Sequence, residues 1–232
     1  MRKGFEYFDK VFVINLDIRK DRLKRRYEFF ESQGISDLVE RYAATRPNEK
    51  EYQDYIADGK INIHTGKPIS IGEYGCISSH LNIIKMAKKN NWESVLVLED
   101  DVEFINTTFI DDAVEQLKSK EWNLFYLGSN THEPLQKESN NLLRLKKGYA
   151  THALAYHKRF YDQIINAFDK KEINVIDVWL AENAQDKLNC YCSYPITAIQ
   201  ENDFSDIHNA EIDYSWMIGK FEENTKHIIN NG

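Results

Sequence analysis

The stretch Val95-Leu96-Val97-Leu98-Glu99-Asp100-Asp101 is an apolar run that ends abruptly in three carboxylates. A short continuous run of Val and Leu is the pattern of a strand covered on both faces. Delivering three acids at the end of such a strand is unfavourable, because like charges repel and resist leaving water. A divalent cation removes the penalty. Hard cations such as Mn²⁺ or Mg²⁺ take oxygen ligands, and one or two carboxylates plus the phosphates of a substrate commonly hold them. Two readings follow: a metal-nucleotide site at a strand end, or a strand that runs into an acidic surface turn.

The rest of the chain alternates strands with helices. Val11 to Leu16 reads as a buried strand, and Arg19 to Gln33 as a charged helix with Leu23, Tyr27 and Phe30 at helical spacing, closed by Gly34. Val39 to Ala44 suggests a second strand. Asn48 to Gly66 is polar without a clean period and reads as an excursion from the core. Glu73 to Asn90 predicts a strong helix, with Cys76, His80, Ile83, Ile84 and Ala87 recurring every three or four residues. After the acid-tipped strand come a helix over Phe109 to Ser119, a strand over Leu124 to Leu127, a polar loop or hairpin over 130–147, an extended Ala150 to Tyr156, helices over His157 to Phe168 and Val175 to Leu188, and a strand over Tyr194 to Ile199. This order predicts an α/β fold with a mixed central sheet flanked by helices, one domain over residues 1–232, with a polar C-terminal extension over 209–232. Ligands of open α/β sheets bind outside the carboxyl ends of the strands. Asn15, with Asp17, Arg19 and Arg22 behind it, therefore joins Glu99-Asp100-Asp101 as a second polar strand end.

Composition narrows the classes. A net charge of −7 argues against binding nucleic acid through its phosphates. No stretch approaches the ~20 apolar residues that span a bilayer, and the first residues lack the apolar run of a signal peptide. Twelve Phe, 13 Tyr and 4 Trp are enough for a sizeable core. The three cysteines, Cys76, Cys190 and Cys192, suggest free thiols in a reducing, cytoplasmic setting, with Cys190 and Cys192 on one face of a strand as buried structural thiols. No Gly-rich loop of the P-loop type is present.

Four segments, taken in order, resemble glycosyltransferase family 25: Ile14-Asn15-Leu16 with Arg19, Asp21 and Arg22; Gly72-Glu73-Tyr74-Gly75-Cys76 with Ser79-His80; Leu98 to Asp101; and Trp122 to Gly128. Weaker matches at Tyr149 to Tyr156, Ile176 to Leu180 and Asp203 to Asp206 extend the likeness over about residues 10–208. That family contains bacterial lipooligosaccharide galactosyltransferases and collagen hydroxylysine galactosyltransferases. The resemblance implies a GT-A-like (Rossmann-like) fold, a nucleotide-sugar donor that is usually UDP-galactose, inversion at the anomeric carbon, and a divalent metal, usually Mn²⁺, on an Asp-x-Asp-type motif.

Glu99-Asp100-Asp101 fills that slot, with Glu99 and Asp101 as expected metal ligands and Asp100 directed at the ribose or the metal. A late histidine, His208, is a further metal candidate. Asp177 matches a recurrent aspartate of the family and is the candidate base for the acceptor hydroxyl; the same Asp-Val-Trp-Leu pattern also starts helices as an N-cap. His80 reads either as a hydrogen-bonded core histidine or as an organiser of the donor pocket. Glu73 reads as a first-turn acid or a contact to sugar hydroxyls, and Arg22 as a solvated helix charge or, with Asn15, a diphosphate contact. Acceptors compatible with the resemblance are a lipopolysaccharide-type glycan and the hydroxylysine of a collagen-like polypeptide. The expected setting is an intracellular enzyme of bacterial or viral type, with peripheral membrane contact allowed. The competing classes are metal-dependent phosphoryl or nucleotidyl transfer, which also uses acid-tipped strands, and a degenerate transferase fold acting as a nucleotide-binding or scaffold module.

Overall fold

In the computed structural model, residues 1–205, 207 and 210–229 are described. His208 and Asp206 lie outside the described residues. Helix α1 (Arg2–Phe5) leads into strand β1 (Lys10–Asn15), helix α2 (Lys20–Ser32) and strand β2 (Val39–Ala43). Helix α3 (Glu49–Ile56) and the short hairpin of β3 (Ile61–Asn62) and β4 (Lys67–Pro68) precede the long helix α4 (Ile71–Lys89). The acid-tipped strand is β5 (Ser94–Glu99), followed by β6 (Val102–Phe104) and helix α5 (Thr108–Leu117). Strands β7 (Leu124–Tyr126), β8 (Asn130–Thr131), β9 (Gln136–Lys137), β10 (Leu142–Arg144), β11 (Gly148–Tyr149) and β12 (Ala153–His157) run on to helix α6 (Lys158–Asp169). Helix α7 (Ile176–Leu180) continues as one π-helical turn, Ala181–Gln185; then come β13 (Cys190–Ser193), β14 (Ala198–Gln200), β15 (Asp203–Ser205), β16 (Ala210–Ile212) and helix α8 (Trp216–Ile229).

Eight strands form the central sheet in the order β2-β1-β5-β12-β7-β13-β10-β9. Strands β2, β1 and β5 are parallel, whereas β12 is antiparallel to both of its neighbours. The sheet is apolar on both faces, so its strands read as continuous runs. Val95 and Val97 pack with α4, α6, α7 and α8, while Leu96 and Leu98 pack on the opposite face with α1, α2 and α5. This is a mixed sheet between two helical layers, the GT-A-like architecture expected.

Three stretches are more ordered than periodicity suggested. Asn48 to Gly66 contains a helix started by a capping box, in which Asn48 accepts from the Glu51 N–H and Glu51 accepts from the Asn48 N–H. Its signal was local capping chemistry, too short for an eight-residue helix to show an apolar period. In the 130–147 segment, Leu142 and Leu143 are buried, and β10 carries the sheet edge beyond β13. The polar C-terminal region forms α8, whose Met217, Phe221 and Ile228 are buried against the first face; three apolar positions diluted among polar ones concealed that stripe. Of the strand expected over Tyr194 to Ile199, only Ala198 and Ile199 are extended, as the start of β14, and β13 ends just before it at Ser193. Cys190 and Cys192 share the first face and Tyr191 the second, as their spacing in a strand requires.

Gly128 closes β7 where the chain meets β14. A Cβ there would lie 1.7 Å from the Ala198 carbonyl oxygen and 2.9 Å from His152 Nε2. Because the obstacle is backbone, Gly128→Ala is expected to destabilise by at least about 3 kcal/mol and lower the melting temperature by roughly 6 °C or more. A thermal melt within a degree of the unsubstituted protein would contradict this.

Candidate active site

The parallel strands β1 and β5 pair with Ile14 beside Glu99, which brings their carboxyl ends together. One residue further, Asn15 Nδ2 donates to Asp100 Oδ2 at 2.6 Å and to the Arg19 carbonyl at 2.9 Å. Since β12 runs antiparallel, its leading residues reach the same end: the Glu99 N–H donates to the His152 carbonyl, and Thr151 Oγ1 donates to Glu99 Oε1 at 2.6 Å. Strand alternation then separates the acids. Glu99 turns to the α4 side and Asp100 to the α2 side. Asp101 sits in the turn between β5 and β6.

Each acid has a different environment. Asp100 is fully engaged: Arg22 Nη1 donates to Oδ1 at 3.1 Å and Asn15 holds Oδ2. The same guanidinium donates to Asp203 through Nε at 3.3 Å and to the Phe204 carbonyl. Arg22 is thus a buried clamp between the acid cluster and β15, which corrects the solvated-charge reading. Burial raises the Asp100 carboxyl above its ordinary value despite Arg22 and Asn15. Burial also works against the Glu99 charge, yet hydrogen bonds from His80 and Thr151 hold Glu99 below its ordinary value. For Asp101, burial and then the charges of Glu99 and Asp100 push the carboxyl up to about 7. Gln200 Nε2 donates to its Oδ2 at 3.2 Å, whereas Oδ1 is buried with no hydrogen-bond partner.

Helix α4 supplies one wall. Ser70 and Glu73 form a capping box at its start; Glu73 Oε2 accepts from the Ser70 N–H, and Oε1 accepts from Asn62 Nδ2 at 2.5 Å. Glu73 borders the cleft with both oxygens already used. Along α4, Gly72, Gly75, Cys76, Ser79 and His80 line the cleft. Gly75 is needed for the approach of the loop after β2, since a Cβ there would lie 3.0 Å from the Thr45 carbonyl oxygen. His80 is wholly buried, with Nε2 3.4 Å from Glu99 Oε1 and Nδ1 3.0 Å from Tyr156 Oη. His80 is thus a hydrogen-bonded core residue whose ring also lies beside a site acid.

The cleft has two lobes. The first, about 360 Å³, is bordered by Ile14, Asn15, Arg22, the 44–47 loop, α4 and the three acids. The second, about 330 Å³, lies between the β3–β4 hairpin, Asn130, Thr151, Asp177 and Tyr214. Cys76, Glu99, Asp101, Ser205 and Ile207 border both. Asp177 borders the second lobe together with Glu99 and Asp101. It is not an N-cap, a position held by Val175; its Oδ1 accepts from the Val178 N–H at 2.8 Å and its Oδ2 from the Ala150 N–H at 2.9 Å. Burial raises its carboxyl above the ordinary value against those two hydrogen bonds.

A cation of the Mn²⁺ or Mg²⁺ type fits this donor set. Asp101 Oδ1 is an acceptor without a partner among the described residues, beside Glu99, whereas both oxygens of Asp100 are taken.

Residues 8–216 match the family model described as glycosyltransferase family 25 (LPS biosynthesis protein). The chain belongs to glycosyltransferase family 25. Procollagen galactosyltransferase 1-B of Xenopus laevis is 34% identical over 132 residues, covering 52% of this chain and 21% of that protein. Inactive glycosyltransferase 25 family member 3 of Homo sapiens is 29% identical over 163 residues, covering 66% of this chain and 27% of that protein. The chain thus spans about a quarter of the length of these curated relatives. The crystal structure of a glycosyltransferase involved in the glycosylation of the major capsid of PBCV-1 superposes with a TM-score of 0.44 at 10% identity, covering 95% of this chain and 98% of that one.

Several site residues of this member of family 25 escaped sequence reasoning. Thr151, Gln200 and Tyr214 reach the cleft from segments whose residue types carry no signal of their own. Ala150 adopts a φ of 71°, the left-handed region, and in that conformation its N–H meets Asp177. No sequence pattern marks that backbone state.

Proposed function

We propose that this protein is an inverting, metal-dependent galactosyltransferase that moves galactose from UDP-galactose onto a hydroxyl acceptor. The observation that carries the reading is Asp101, which has a buried carboxylate oxygen without a partner among the described residues and borders both lobes, with Asp177 lining the second beside it. In this reading the first lobe takes the nucleoside diphosphate and the second takes the transferred sugar and the acceptor. Asp101 and Glu99 would hold a Mn²⁺ or Mg²⁺ ion, which supplies charge stabilisation to the departing diphosphate. Asn15 and Arg22 fix Asp100, so this trio keeps the floor of the first lobe rigid. His80 and Thr151 keep Glu99 ionised and oriented.

Asp177 accepts the acceptor hydroxyl proton as that oxygen attacks the face of the sugar opposite the diphosphate. Its two backbone hydrogen bonds leave a lone pair on each oxygen toward the lobe, and its raised proton affinity suits a base. The acceptor is a hydroxyl of a lipopolysaccharide-type glycan or of hydroxylysine in a collagen-like polypeptide, the classes the relatives' names suggest. The non-catalytic alternative has a concrete counterpart in the relative named as inactive; here Asp177 and the three acids speak for chemistry.

UDP release from a panel of UDP-sugars, with and without Mn²⁺, tests this. Release from UDP-galactose that requires Mn²⁺ is the expected result. Absence of release from every sugar, together with UDP binding indifferent to metal, would overturn it.

A further inference from the structure

We propose that Cys76, His80 and Glu99 form a site for a thiophilic divalent cation of the Zn²⁺ class, separate in ligand chemistry from the hard-cation reading of Glu99 and Asp101. Cys76 and His80 are four residues apart on α4, so their side chains stand on one helical face. Cys76 Sγ, a His80 ring nitrogen and a Glu99 carboxylate oxygen all lie within 4.8 Å of one another. Around a tetrahedral zinc ion, bond lengths of about 2.0–2.3 Å put neighbouring ligand atoms about 3.5 Å apart, so a contraction of roughly an ångström completes the triad.

An independent feature of the site is that the histidine and the carboxylate are already oriented from behind. His80 Nδ1 lies 3.0 Å from the buried Tyr156 Oη. In the metal-free chain the ring donates to Glu99 through Nε2; with the ring proton moved to Nδ1 and donated to Tyr156 Oη, Nε2 gives its lone pair to the ion, the arrangement in which outer partners fix metal-bound histidines. Thr151 Oγ1 holds the Glu99 carboxylate in the same way at 2.6 Å.

Access is open as well. Cys76 is half-buried and borders both lobes, whereas Cys190 and Cys192 are buried in β13. Three protein ligands facing a cleft leave a fourth position for water, a pattern typical of zinc and foreign to Mn²⁺ and Mg²⁺, which avoid sulfur. Binding releases the thiol proton to solvent and leaves a thiolate on the ion. Because Glu99 belongs to both sets, an ion held here would withdraw that carboxylate from one held with Asp101.

The test uses Co²⁺ as a spectroscopic probe on the full chain without nucleotide. The expected result is a sulfur-to-cobalt charge-transfer band in the near ultraviolet that saturates at one ion per chain, is abolished by Zn²⁺ and is indifferent to Mg²⁺. Cys76→Ser should remove the band. Tyr156→Phe should keep it with an affinity about 10-fold weaker. Co²⁺ uptake by the unsubstituted protein without a sulfur band, or a band that survives in Cys76→Ser, would overturn the proposal. No transferase activity is read, so failure here and failure of the galactosyltransferase reading are distinguishable.

Discussion

Asp177→Asn is expected to lower galactosyl transfer by roughly 10²–10⁴-fold, the range for losing a general base, while metal-dependent UDP binding stays essentially unchanged. The amide keeps the shape of the carboxylate and can still accept one of the two backbone N–H groups, from Ala150 or Val178. What it loses is the ability to take a proton. The unsubstituted enzyme should also show an acid limb in kcat/KM at a pH above the ordinary aspartate range, because burial raises the Asp177 carboxyl. That limb should disappear from the residual activity of the variant. Near-normal turnover by Asp177→Asn would remove Asp177 from the chemistry and return it to a structural role at the start of α7.

Asp101→Asn should have an effect of similar size on binding. Mn²⁺-dependent UDP binding is expected to be lost, because Asp101 gives up the carboxylate whose buried Oδ1 has no hydrogen-bond partner among the described residues. The stability of the metal-free protein should move the other way. Asp101 titrates near 7 in the folded chain against an ordinary value of 3.8, so the folded state holds the proton more tightly than the unfolded one. Its contribution therefore lowers stability as pH rises from about 4 to about 7, by at most about 1.4 kcal/mol per pH unit. The asparagine variant removes that decline and should be the more stable protein at pH 8 without metal.

For the unsubstituted protein, proton and cation compete for the same oxygen. Mn²⁺ affinity should rise about tenfold per pH unit below 7 and level off above it. Calorimetric titration of Mn²⁺ between pH 5.5 and 8 reads the affinity, and denaturant titration of both proteins reads the stability. An affinity that does not change with pH would contradict the assignment of Asp101.

Much of the frame was legible because it is built from local patterns. The apolar run of Val95 to Leu98, the periodic α4 and the strands at Val11 and Leu124 each declare themselves over fewer than twenty residues, and their alternation implies the layered sheet. Asn15, Glu99, Asp100 and Asp101 were found for the same reason: strand ends in such a sheet point at one edge. Elements held by one to three buried apolar anchors, such as α3 and α8, were not legible, since polar residues dilute so sparse an apolar signal. Asp177 illustrates the boundary. Its sequence neighbourhood allowed either an N-cap or a base, and the Ala150 backbone, delivered from the loop between β11 and β12, holds the carboxylate at the second lobe.

By itself the sequence determined the layered α/β frame, the family and the position of the acid cluster at a strand end, because burial periodicity and motif order are written along the chain. The division of labour among the three acids was decided in three dimensions. Strand alternation sends Glu99 toward His80 and Asp100 toward Arg22, and the turn leaves Asp101 with an oxygen that nothing satisfies. Those partners lie 19 residues before Glu99 and 78 before Asp100 in the chain, and Gln200 lies 99 beyond Asp101. Which carboxylate is neutralised and which is left for a cation depends on distances between segments that only the folded sheet brings together.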